Sequence, residues 1–85
     1  MITVEFISSY HGVAVYRVKQ NGKYQRVSWY FQTPEFYRED FATGGWNYTQ
    51  DEWERTIVSK AGGIFDFYGN SVNSEIENAV RSLDR

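Results

Sequence analysis

The chain has no cysteine, so neither a disulfide nor a thiolate metal centre can staple its 85 residues together. It has one proline, Pro34, which leaves no room for a proline-rich linker between domains. It has one histidine, His11, so nucleophile–histidine catalysis is reduced to a Ser or Thr acting with that single base. His11 stands beside Gly12 in a turn-forming context, with no nucleophile elbow around it. No apolar run approaches the ~18 residues of a membrane span. Met1 to Ser8 alternates and includes Glu5, whereas a signal peptide needs a basic start and a longer apolar stretch. These absences set the expectations: one domain spanning residues 1–85, cytoplasmic, with no membrane contact, no cofactor and no metal, and not an enzyme.

Other fragments that carry chemistry elsewhere have structural explanations. Glu39-Asp40 and Asp51-Glu52 are too generic to mark a metal site, and the second pair suits a helix start. Gly44-Gly45 and Gly62-Gly63 match neither the phosphate-binding loop nor the dinucleotide fingerprint, and both fit helix ends. Asn47-Tyr48-Thr49 spells a glycosylation sequon, which in a chain expected in the cytoplasm reads as chance.

Aromatic residues are abundant. Three Trp, seven Tyr and six Phe carry more apolar surface than so small an interior encloses, so part of it is expected at the surface. Net charge is −2, but unevenly spread. Residues 1–30 hold Arg17, Lys19, Lys23 and Arg26 against Glu5 alone, while residues 31–85 hold five basic and ten acidic residues.

The strongest local signal is Asn21-Gly22 between two β-branched and aromatic runs, the pattern of a two-residue type I′ hairpin turn. That turn sets Arg17 opposite Arg26, Tyr16 opposite Val27 and Ala14 opposite Trp29. Ala14, Tyr16, Val18, Val27, Trp29 and Phe31 then share the core face. Val15, Arg17, Lys19, Tyr24, Arg26, Ser28 and Tyr30 share the other. A first strand, Ile2 to Ser8, registers with Phe6 opposite Tyr16 and Glu5 opposite Arg17, and a loop from Ser8 to Val13 carries Tyr10 and His11 at its tip. Thr33-Pro34-Glu35 predicts a helix start bearing Phe36, Tyr37 and Phe41. Thr49-Gln50-Asp51-Glu52 is a capping box, with Tyr48 and Trp53 as its hydrophobic staple, opening a second helix with Ile57 and Ala61 on one face. Ile64 to Tyr68 suggests a short strand, and Val72, Ile76, Ala79, Val80 and Leu83 a final helix. The expected fold is α+β: a three-stranded antiparallel sheet (a β-meander) followed by short helices, in the order βββααβα.

Two surfaces stand out. One is the back half's acidic, aromatic segment, where Asp40, Trp46, Tyr48, Asp51, Glu52 and Glu54 form a candidate protein-binding set suited to a basic partner surface. Tyr48 already has a structural reason in the staple, and Trp46 is divided between packing and binding. The other is the sheet's outer face, where Arg17, Lys19, Tyr24, Arg26 and Tyr30 interleave cations with rings, as nucleic-acid-binding sheets do. Its bland reading is a solvated face on which Glu5 neutralises Arg17. Gly22-Lys23, a strand, and then Phe31-Gln32-Thr33-Pro34-Glu35 resembles the sheet end and helix start of integrase arm-binding or plant AP2-type DNA-binding domains. The resemblance is confined to this stretch, and the family's alanine-rich helix and strongly basic strands are absent. The leading expectation is a small non-catalytic binding protein that inhibits or regulates a larger protein. Size and the lack of a catalytic set fit the inhibitors that phages and mobile elements encode, anti-CRISPR and anti-restriction proteins among them. The alternative is a nucleic-acid-binding domain using the outer sheet face. A structural subunit that pairs through a free edge strand is a third class.

Overall fold

A computed structural model of the chain describes residues 1–42 and 58–83, the side chains of 40–42 excepted. Strands β1 (Ile2–Tyr10), β2 (Val13–Gln20) and β3 (Lys23–Tyr30) form an antiparallel meander. Helix α1 (Pro34–Ala42) follows, then a 3₁₀ turn (Val58–Lys60), strand β4 (Ile64–Asp66) and helix α2 (Ser74–Arg81). β4 adds antiparallel to β3, so the sheet has four strands in the order β1-β2-β3-β4, and the fold is α+β. The expected second helix, with Trp53 and Ile57, lies outside the described residues apart from the 3₁₀ turn at its end.

The β2–β3 register is the one Asn21-Gly22 dictates, with Arg17 opposite Arg26 and Ala14 opposite Trp29. Both turn residues have positive φ, 53° and 77°, as a type I′ turn requires. Phe6 pairs with Tyr16 and Glu5 with Arg17, also as expected. The expected Ser8–Val13 loop is replaced by strand. β1 runs on to Tyr10, and His11-Gly12 closes a second tight turn with φ of 50° and 80°. A two-residue turn there is out of step with Phe6 facing Tyr16 unless β1 carries one extra residue. A bulge between Phe6 and Ser8 supplies it, and the extra residue is Ile7.

The main core lies on one face of the sheet. Ala14, Tyr16, Val18 and Val27 are buried against Ile64 of β4 and Ile76 and Val80 of α2. α2 presents those two residues because they fall one helical turn apart, four positions along. Asn73 caps it, its side-chain oxygen accepting the Ile76 N–H at 2.9 Å, so Val72, expected within the helix, precedes it. At the far end Arg81 pairs with Glu77, donates to the Gly62 carbonyl at 2.7 Å and stacks over Trp29.

A second, smaller cluster sits on the opposite face, at the Val13–Tyr30 end of the sheet. Tyr37 of α1 and Val58 are buried there with Val13, Tyr30, Phe36 and Ala61 around them. The Tyr37 hydroxyl donates to the Gly12 carbonyl at 2.6 Å, and the Phe31 N–H donates to the same oxygen at 3.0 Å, so α1 is latched onto the β1–β2 turn. Among the described residues, the outer face is therefore covered at one end and open over the rest.

Candidate functional site

The open part of the outer face is built by strand alternation. Residues of β2 and β3 that do not face the core, Val15, Arg17, Lys19, Tyr24 and Arg26, point to it in two rows. On β1 the alternation that turns Glu5 outward turns Ile7 outward too, where it is 50% exposed and lines the same surface beside Val15. Tyr24 is 64% exposed, with the Arg17 guanidinium 5.5 Å and the Lys19 ammonium 5.2 Å from its ring centre. Arg17 also donates to Glu5 at 2.5 Å across the β1–β2 pair, and this bond holds its guanidinium in the charged form, pushing its pKa above the ordinary arginine value. Glu5 thus neutralises Arg17. Among the described residues Lys19 and Arg26 have no carboxylate partner.

Beyond β4 the chain adds two rings to this face. The Asp66 carboxylate accepts the N–H groups of Tyr68 and Asn70 at 2.9 and 3.0 Å, and the Asp66 N–H donates to the Asn70 carbonyl at 2.8 Å. Gly69, with φ 86°, completes the turn. This self-bonded turn holds Phe67 and Tyr68 outward, 63% and 83% exposed and packed edge to face at 5.4 Å. The Arg26 guanidinium lies 4.8 Å from the Phe67 ring centre. Two open depressions result, and Tyr24 and Arg26 line both. One, about 470 Å³, is bounded by Ile7, Val15 and Arg17, and the other, about 460 Å³, by Phe67 and Tyr68.

Of the residues expected on this face, Arg17, Lys19, Tyr24 and Arg26 come together on open surface and Tyr30 does not. Tyr30 belongs to the smaller cluster, where it meets Tyr37 and Phe65 and lies beneath the Lys60 ammonium. The reason is α1, which folds back over that end of the sheet. The acidic, aromatic set of Trp46, Tyr48, Asp51, Glu52 and Glu54 lies outside the described residues, as does the side chain of Asp40. Sequence reasoning missed Ile7, Phe67 and Tyr68. For the last two a signal existed: a pair of aromatics between Asp66 and Gly69-Asn70 is a turn with rings at its tip.

Among the described residues no group of three or more His, Asp or Glu is placed to hold a metal ion, and no helix is long and apolar enough to cross a membrane. No protein-family model matches the chain, and neither does any curated protein or solved structure.

Proposed function

We propose that the chain is a non-catalytic binding protein that inhibits or regulates a larger protein by covering part of its surface, with the open outer face of the sheet as the contact. The observation that carries this reading is the set of exposed rings around Arg26: Tyr24 beside it on β3 and Phe67 and Tyr68 on a turn whose hydrogen bonds serve no purpose in the core. Tyr and Arg dominate the energetics of protein interfaces, and rigidly presented rings lose little entropy on binding. Nucleic acid is the weaker alternative for the same face. Glu5 cancels Arg17, leaving Lys19 and Arg26, whereas backbone binding draws its strength from about six or more phosphate contacts. The net charge of −2 also repels a polyanion at long range. Apolar Ile7 and Val15 beside the rings suit side chains better than phosphates.

The test is affinity purification of the tagged protein after nuclease treatment, comparing the wild type with the double variant Tyr24→Ser, Arg26→Glu. A protein retained by the wild type and lost by the variant, with both equally folded, is the expected result. Retention by both places the contact elsewhere, with the segment around Trp46 next to be changed. Retention that vanishes with nuclease favours nucleic acid.

A further inference from the structure

The larger of the two depressions has a chemical character that narrows what fits it. Its sides are Ile7, on the outer side of β1 with Glu5, Val15 of β2, and the ring of Tyr24. At about 470 Å³ it is roomy for one large apolar side chain and is at the small end of sites that enclose a whole ligand. Arg26 lines its rim, and Lys19 stands over the same Tyr24 ring, two cations without carboxylate partners among the described residues. An apolar hollow edged by cations complements an apolar group flanked by acids.

We infer that the partner's contact is an acidic segment carrying one aromatic or aliphatic anchor. The anchor enters the hollow between Ile7 and Tyr24, and neighbouring carboxylates meet Arg26 and Lys19. This rests on the reading of the outer face as a protein-binding surface and adds the chemistry of what binds there. A basic segment is repelled by the rim. A purely apolar one leaves the two cations facing it without a counter-charge, which costs affinity when they are partly desolvated.

Amide signals of the ¹⁵N-labelled protein, followed by NMR during titration with short blocked peptides, test this directly. One peptide has a central Phe between two pairs of Asp, a second replaces Asp with Asn, and a third replaces it with Lys. The acidic peptide should move the signals of Ile7, Val15, Tyr24 and Arg26 at about millimolar concentration, with the Asn version about tenfold weaker and the Lys version weaker still. Lys19→Glu with Arg26→Glu should reduce the acidic peptide to the level of the Asn one. Ile7→Ser, at a half-exposed position, should weaken all three peptides several-fold while leaving their order unchanged. Equal binding of the acidic and Lys peptides, or shifts confined to another face, overturns the inference. So does a thymidine octanucleotide that moves the same signals at lower concentration than the peptide, which assigns the face to nucleic acid. If the double variant Tyr24→Ser, Arg26→Glu loses a co-purifying protein but the acidic peptide fails to bind, this inference falls and the protein-binding reading stands. If binding of that protein is indifferent to the variant, the reading of the face falls first.

Discussion

Gly12 is where a single residue matters most. Its φ of 80° lies in the left-handed region, and a Cβ there would stand 2.7 Å from Gln32 Cγ, 2.9 Å from Phe36 Cε2 and 3.0 Å from the Tyr37 hydroxyl. Gly22 has nearly the same φ, 77°, but a Cβ on it meets nothing within 4 Å. Gly12→Ala should therefore cost about 3 kcal/mol, conformational strain plus overpacking, and Gly22→Ala about 1 kcal/mol from strain alone, both read from urea denaturation. Equal losses would mean that α1 does not press on the turn. Tyr37 is the other half of that contact. Burial raises its phenol above the ordinary tyrosine value, because the neutral form is the one the fold accommodates. Its contribution to stability is full below the unfolded tyrosine pKa of about 10 and is lost as pH rises through the higher folded value. Tyr37→Phe should cost about 1 kcal/mol at neutral pH, since the Gly12 carbonyl keeps the Phe31 N–H, and should flatten the fall in denaturation midpoint above pH ~10.

Among the elements, the turn after β4 ties structure most closely to the proposed site. One carboxylate oxygen of Asp66 receives two backbone N–H groups and thereby fixes where Phe67 and Tyr68 point. Asp66→Ala should release both donors, at a cost of about 1–2 kcal/mol, and speed amide exchange at Tyr68 and Asn70. Binding through the outer face should weaken as well, although Asp66 itself need touch no partner. Unchanged affinity with fast exchange would show that the two rings play no part in the contact. The β1 bulge is a comparable device. It brings Ser8 instead of Ile7 opposite Val15 and lets His11-Gly12 close the hairpin, and bulges of this kind also discourage strand addition at a sheet edge.

For the whole molecule, the arrangement separates stability from display. Among the described residues, the core face carries α2 and most of the buried apolar side chains, while the smaller cluster beneath α1 closes one end of the outer face. What remains open contributes little to folding. Tyr24→Ser with Phe67→Ser should shift stability by no more than about 1 kcal/mol while removing the interface described above. Calorimetry on the double variant, alongside the binding measurement, checks this. A loss of several kcal/mol would make these rings part of a core, and the functional reading would fail.

Much of this was legible in the residues. Asn21-Gly22 determined the β2–β3 register, because few other pairs accept positive φ at both positions, and alternation then sorted the core face from the outer one. Glu5 opposite Arg17 followed from placing Phe6 on the core side, and Pro34 marked the start of α1. These are constraints of a single turn, strand pair or helix start, and local chemistry decides them. The bulge at Ile7 depends on the turn that follows β1, the loss of Tyr30 on where α1 folds back, and the joining of β4 to β3 on an element distant in sequence. An extra residue in a strand has no signature of its own until the turn beyond it is known. Whether Tyr30 is a platform or part of a core depends on where a later helix lands. Tertiary packing alone decided which rings of an aromatic-rich chain stay in water, because burial is a competition among all of them for one small interior.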